Sequence, residues 1–478
     1  MSSATHGSSQ KLNRMGSAPV ALLLLEFAIP SIVGMVVNGA YNLIDSIFLG
    51  QAVGEAGLSA ITVATPVMMV FISLALMVGS GGNALAALRL GQKKPDQAEL
   101  ALGNVIFLSI VLSLVMVVLA FTPAIEVLLS ISSATDDVRP SARIFIQILS
   151  LGAFFQMIGM SVNNFIRTCG APNRALLTML VGAVACTIFN AWFVLGMGLG
   201  VEGSALATVC GQGISCICVM WYFIFTPSAP LKFRLSKLKP NWGMIVKIIS
   251  LGTPSFIIQI GFVVISLITN FLLVLWGSQS VIGSENALAS IGVVQRVGMF
   301  TVLPLVGISI AMQPLLGFNY GAKLYARVKE TLAYGIGMAT VLGVIMFVFV
   351  HIFPNQIVSV FGIHNEDLRA FTVFALQVQL FAIPLIGFQI VCTNYFQATG
   401  QPAKSIFLAL SRQGLFMIPM LFILPPLLPS ILPYTTGLDA IYFAPPVSDS
   451  IAIVVTAVFM WKELGRINAL QQEQASAS

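Results

Sequence analysis

NNFIRTCGAPNRA, residues 163–175, and TNYFQATGQPAKS, residues 393–405, are one pattern written twice. Asn164 falls on Asn394, Gly170 on Gly400, Pro172 on Pro402 and Arg174 on Lys404, each displaced by 230 residues (394 − 164). The same displacement aligns LRLGQKK, residues 88–94, with GFNYGAK, residues 317–323, placing Gly91 on Gly321 and Lys93 on Lys323. Two separate patches sharing one offset imply a duplicated chain, so the fold of one half predicts that of the other.

Composition says what kind of unit was duplicated. Hydrophobic residues make up 57% of the chain, charged residues 8%, and the mean hydropathy is +0.96; soluble domains carry about 25% charged residues. Apolar runs long enough to cross a hydrocarbon core of about 30 Å as helices occur at residues 20–49, 58–86, 101–122, 142–166, 175–197, 203–226, 244–275, 287–316, 331–353, 371–397, 405–428 and 440–461. The expected fold is therefore an all-α integral membrane protein of twelve spans. An even number of spans per repeat starts both halves on the same side, so they run parallel about an axis along the membrane normal. The expected organisation is an N-terminal tail (1–18), a six-helix lobe (19–226), a basic linker (227–242), a second six-helix lobe (243–462) and a C-terminal tail (463–478). The polar start, MSSATHGSSQKLNRMGSAPV, lacks the pattern of a cleavable signal peptide.

Lys and Arg in the connections favour the cytoplasmic side. With the N-terminus inside, only Arg139, Arg143 and Arg369 fall outside, which predicts that both termini are cytoplasmic. The net charge of +6 then belongs to short loops facing anionic lipid headgroups and calls for no nucleic acid. Cys169, Cys186, Cys210, Cys216, Cys218 and Cys392 lack metal-type spacing and read as packing residues. His6, His351 and His364 form no cluster with acids.

The residues resembling a known family are the run AIPSIVGMVVNGAYNLIDSIFLGQAVGEAGLSA (28–60), the connection GLGVEGSALATV (198–209) and the paired G-x-P-x-[RK] loops. They resemble the multidrug and toxic compound extrusion (MATE) transporters, over essentially the whole chain. LALSRQGLFMIPM (408–420) is similar to the MepA-like and DinF-like bacterial branches. The resemblance implies two six-helix lobes forming a V around a central cavity in the bacterial inner membrane. It also implies export of amphipathic or cationic drugs, driven by inward flow of H+ or Na+, by a protein that is neither an enzyme nor a holder of a cofactor.

One carboxylate stands out. An ionised Asp near mid-bilayer costs about 2.5 to 3.5 kcal/mol on insertion scales, yet Asp45 lies inside the first apolar run. Asn38, Tyr41, Asn42 and Asp45 follow at i, i+3, i+4 and i+7, a single helical stripe that must face protein or water. A hydrogen-bond seam between helices is the structural alternative. Asn190 stands at a similar depth in the fifth span, and with Asp45 it offers oxygens for one small hard cation such as Na+. A lone carboxylate that takes up a proton fits as well. The resemblance carries the family's cation network onto Asp45, Tyr41, Asn163 and Thr208, with Pro30 at the position near which helix 1 bends. It departs at helix 5, where CTIFN (186–190) lacks a second acid, and at helix 7, where TPSFIIQIGFVVISLITN (253–270) offers only Gln259 and Asn270.

Arg296, Arg412 and Asp449 lie within later spans and read first as helix ties. An intramembrane enzyme would need a nucleophile with a base, or paired acids, at one depth; Asp45 has no such companion in its own half. The alternative transport reading is a lipid-linked precursor flippase of the same two-lobed architecture, which would need more cavity cations than Arg296 and Arg412. Nothing in the duplicated fold requires a partner subunit, so a functional monomer is expected.

Overall fold

The structure is a computed structural model that describes residues 12–131, 138–363 and 365–477, with residues 41–59, 127, 128, 130, 131 and 477 described as backbone only. Among the described residues, eleven helices are long and apolar enough to cross a membrane, or twelve if a bent pair is counted as one span. The chain is helical from Val20 to Gly91, a stretch carrying the first two spans, α1 (Val20–Ala40) and α2 (Ala60–Gly91). The others are α3 (Pro95–Phe121), α4 (Arg139–Thr168), α5 (Pro172–Gly196), α6 (Gly200–Phe225), α7 (Trp242–Gly277), α8 (Ser284–Gly321) and α9 (Tyr325–Ile352). After them come α10, the pair Glu366–Gln379 and Ile383–Ala398 bent by 42°, α11 (Pro402–Ile431) and α12 (Gly437–Ser476). The expected twelve spans are present, the tenth being broken ahead of Pro384.

The duplication is visible in the backbone. Lys93 and Lys323, one repeat apart, both adopt left-handed φ values, 58° and 60°. Each sits in the same helix stop: Lys94 N–H donates to Arg89 O (2.9 Å), and Leu324 N–H to Asn319 O (2.8 Å). Gly170 and Gly400 repeat the device with φ values of 74° and 79°, and Pro172 and Pro402 then open the next helices. The repeated look of the Gly170 and Gly400 loops at the sequence level is the signature of a C-cap followed by a proline at N1.

The halves interlock at the end where these loops gather. Leu23, Leu24, Phe27 and Ala28 of α1 are buried in the core of the second half, among Leu305, Ile308 and Met312. Met244, Ile245, Ile248 and Leu251 of α7 are buried in the core of the first, among Val78, Leu102 and Phe165. Gly91 lies against the Phe318 carbonyl and Gly321 against the Leu88 carbonyl, a reciprocal contact one repeat apart in which any Cβ would collide with backbone. In lipid, where apolar burial gives helices little reason to associate, such close backbone approach is a main source of attraction.

Polar groups close the same end. Asn83 Nδ2 donates to Gln313 Oε1 at 2.7 Å, and these residues are themselves 230 positions apart, so the bond lies on the axis relating the repeats. Thr168 donates to the other face of the Asn83 amide. Gln397 Nε2 donates to Leu251 O (2.7 Å), Ser80 Oγ (3.0 Å) and Ser255 Oγ (3.2 Å). These bonds involve no charged group, though Arg327 Nη2 also donates to the Met15 (3.3 Å) and Ala18 (2.6 Å) carbonyls at this end.

The other end is open. On α8 the stripe 303, 307, 317, 321 meets the first half: Leu303 stands against Gly39, Gly307 against Ile32, Gly317 against Ala87 and Gly321 against Leu88. The same stripe continued towards Ser284 passes through Met299, Arg296, Gly292 and Ala289. There Met299, Arg296 and Ala289 are exposed and no neighbour among the described residues approaches Gly292.

Candidate functional site

The first-half candidates divide into two groups. Asn190, at the end of the α-helical part of α5, donates through Nδ2 to Cys186 Sγ at 3.5 Å, and Cys186 Sγ lies 3.9 Å from Thr208 Oγ1 on α6. All three are buried, and Gly211 lets α6 approach Cys186 closely. Directly after Asn190 the helix widens into a π-helical turn, Ala191–Gly196. Such turns are frequent at functional sites, and this one leaves the Asn190 amide at the seam between two hydrogen-bonding patterns. The structure thus brings Asn190 and Thr208 together through Cys186, whose packing role holds but is joined to a polar one.

Asn163 belongs elsewhere. Its Nδ2 donates to Thr178 Oγ1 (2.8 Å) and Ala175 O (3.0 Å), and its Oδ1 accepts from Arg167 Nη1 (2.8 Å). Thr178 precedes Asn190 by twelve residues on α5, about 18 Å along the helix at 1.5 Å per residue. Asn163 is therefore spent on holding Arg167, which also donates to Asn164 Oδ1 (2.8 Å) and is 3% exposed. Arg167 is a buried guanidinium without an ion pair among the described residues.

Tyr41 and Asp45 lie outside the residues whose side chains are described. Their helix packs as follows: Gly34 of α1 stands against Leu176 and Met179 of α5. Pro30 and Pro66 both lie inside the helix Val20–Gly91. Sequence reading overlooked Glu26 in the same span; it pairs with Arg14 at 2.7 Å near the closed end. For a hard cation the described donors are neutral, Asn190 and Thr208 contributing one oxygen each, and no group of three or more His, Cys, Asp or Glu residues able to hold a metal occurs among the described residues. Such a pair of oxygens suits Na+ only in company with a carboxylate.

In the second half, Arg412 Nε and Asp449 Oδ1 form an ion pair of 2.8 Å. Arg412 lies in a second π-helical segment, Ser411–Met417, and Ser448 Oγ donates to its carbonyl at 3.4 Å. This is the helix tie that sequence suggested. Gln259 Nε2 reaches Met69 Sδ of α2 (3.2 Å), and Asn270 is exposed two further turns and more along α7. Arg296 has no hydrogen bond or ion pair with any described residue and is exposed on the α8 stripe beyond its last described contact with the first half, facing the open end. A recess of about 280 Å3 lined by Arg89, Asn241 and Lys247 lies at the closed end, outside the cleft.

Comparison with known proteins agrees with this architecture. The chain is 24% identical over 401 residues to the multidrug export protein MepA of Staphylococcus saprophyticus, covering 84% of this chain and 86% of that one. It is 25% identical over 415 residues to MepA of Staphylococcus aureus, covering 87% and 89%. Among solved structures, the outward-facing conformation of a multidrug resistance MATE family transporter of the MOP superfamily superposes with a TM-score of 0.86 at 23% identity, covering 96% of this chain and 98% of that one. The profile of the MatE family matches residues 30–193 and again 254–423, most of the chain in two copies, and the protein belongs to the MATE family of membrane transporters.

Proposed function

We propose that this chain is a secondary active multidrug exporter working by alternating access, in which amphipathic drugs leave the cytoplasm in exchange for inward-moving H+ or Na+. The observation that carries the reading is the α8 stripe, packed on the first half from Leu303 to Gly321, with Met299, Arg296 and Ala289 exposed beyond it. A duplicated bundle sealed at one end and open at the other is one of the two states such a cycle needs. The amide bonds of the latch, Asn83–Gln313 and those of Gln397, are uncharged and separate without breaking an ion pair.

In this reading the lobes are residues 19–226 and 243–462, joined by the basic linker 227–242. The tails 1–18 and 463–478 and the sealed end, which carries Lys93, Lys94, Lys237 and Lys323, face the cytoplasm. The protein works as a monomer in a bacterial inner membrane. Its relatives named as multidrug export proteins support the substrate class.

The coupling site is Asp45 with Tyr41, Asn190 and Thr208; Asn163 acts one level below by fixing Arg167. Support for the depth comes from register. Gly34 packs on Met179, and eleven residues further along α1 and α5 stand Asp45 and Asn190. A charged carboxylate attracts the neighbouring amide and hydroxyl dipoles; once neutralised by a proton or Na+ it attracts them less, and α1 is released to shift about Pro30. A ligand moves an equilibrium only by its differential affinity for the two states. Drug and ion therefore weaken one another by the same factor.

The test is drug affinity of the purified protein across pH and sodium concentration, with efflux from vesicles under imposed gradients, in wild type and Asp45→Asn. The variant is expected to fold, to lose gradient-driven efflux and to lose the ion dependence of affinity. Full activity in Asp45→Asn, or wild-type affinity indifferent to both ions, overturns the reading.

A further inference from the structure

We infer that Arg296 is a substrate-recognition residue, and that this transporter selects amphipathic molecules carrying an acidic group, a carboxylate or a comparable oxyanion, over otherwise identical molecules that lack one. The inference deepens the exporter reading and rests on it for the direction of transport alone.

Arg296 lies twelve residues in from Ser284, about 18 Å along α8, well inside a span whose mean hydropathy over its most apolar stretch is 1.8. A guanidinium at that depth does not face lipid without a large cost. Its own helix says what it does face. The positions 289, 292, 296 and 299 share one helical face with 303, 307 and 321, and those last three pack on α1 and α2. Arg296 therefore points across the cleft towards the first half. Gln295 Nε2 donates to Ser266 Oγ at 3.4 Å, which ties α8 to α7 beside it and fixes the backbone that carries the charge.

The surroundings are those of an amphipath's binding wall. Met299 is 43% exposed, Phe262 on α7 50% and Val70 on α2 36%, and each belongs to a stripe that closes on the opposite half nearer the sealed end. Asn270 adds an amide on the α7 side. The remaining intramembrane charges of the second half, Arg412 and Asp449, already neutralise one another. Among the described residues of the cleft, the charge left uncompensated is positive, and an Arg fork matches the two oxygens of a carboxylate. A lipophilic cation gains nothing from this wall, whereas a zwitterion or an acid gains a charge-assisted pair.

The experiment uses purified full-length protein and two probes, a rhodamine dye with a free benzoate carboxylate and the methyl ester of the same dye. These share their aromatic body and differ in one charge. Affinity is read by fluorescence polarisation in wild type, Arg296→Gln and Arg296→Lys. The wild type is expected to bind the free acid about tenfold more tightly than the ester, as one charge-assisted hydrogen-bonded pair in a watered cleft would give. Arg296→Gln is expected to bring the two dyes within about twofold of each other, and Arg296→Lys to keep part of the preference. Equal or reversed wild-type affinities, a preference that survives in Arg296→Gln, or failure of both dyes to bind overturns the inference. The wild-type comparison decides even if a variant does not insert. Binding of the acid with the expected preference, but without gradient-driven movement across vesicles, upholds the recognition role and removes the exporter reading instead.

Discussion

Replacing Asn83 by Ala tests whether the sealed end is a gate. Asn83 makes two buried side-chain bonds, donating to Gln313 across the repeat axis and accepting from Thr168 within its own half. Interhelical hydrogen bonds in membranes average about 0.6 kcal/mol and reach about 1.7. Only the bond to Gln313 spans the two halves, so its loss weakens the latch by about 0.6 kcal/mol, roughly a threefold change in the equilibrium between sealed and open. Gln313 keeps its bond to Ser80 O, so the latch weakens without dissolving. The measurement is the distance distribution between spin-label amino acids at positions 93 and 323, on loops that face each other across the axis, recorded in lipid nanodiscs by double electron–electron resonance. Asn83→Ala should raise the long-distance fraction. Ser109→Ala, which removes only a bond to Val105 O within α3, serves as the control and should leave the distribution alone. An unchanged distribution in Asn83→Ala, or an equal change in the control, would refute the gate.

Three further outcomes follow from the site. Asn190→Ala is expected to weaken gradient-driven efflux less than Asp45→Asn does, since it removes a neutral ligand and not the charge; equal losses would show that the amide matters as much as the carboxylate. Asp449→Asn strands Arg412 and is expected to cost about 3 kcal/mol or more of stability, read as a fall in melting temperature in lipid that the double variant Arg412→Met, Asp449→Leu largely reverses; a single variant that melts like the wild type would contradict the pair's role. Pro30→Ala should alter the ion dependence of drug affinity while Pro254→Ala, its repeat counterpart, should not, and identical behaviour of the two would remove the special role of α1.

Much of the architecture was legible in the sequence because length and hydropathy suffice to mark a span. The duplication was legible because its loops are C-caps, whose glycines and prolines are dictated by local backbone geometry. What escaped depends on neighbours. The family match begins at Pro30 in one copy and Pro254 in the other, an offset of 224 (254 − 30), six short of the offset in the loops, so the first helices of the repeats do not align with the rest. Asn163 and Asn190 look alike in sequence, yet Arg167 claims one and Cys186 the other, because only packing shows that Arg167 turns inward. Arg412 and Asp449 were both noticed, but their pairing rests on the π-helical register of Ser411–Met417 and on contact between α11 and α12. Asn83 and Gln313 had an unused signal: two amides inside apolar spans, one repeat length apart.

The repeats have kept a common frame and exchanged their polar groups. Counting by 224, Asp45 corresponds to Thr269, which is buried; counting by 230, Asn190 corresponds to Met420, Arg412 to Gly182, Asp449 to Val219 and Arg296 to Pro66. Asp45, Arg296, Arg412 and Asp449 therefore each stand opposite an uncharged residue in the other half. In the proposed reading the ion's site and the wall that carries Arg296 then lie in different halves and share no ligand. Coupling between them has to pass through a change in how the halves are arranged, since energy moves between distant sites only through an element whose equilibrium both of them bias. The latch at Asn83 and Gln313 is such an element: it lies on the axis, it belongs equally to both repeats, and it carries no charge that would favour either ligand directly.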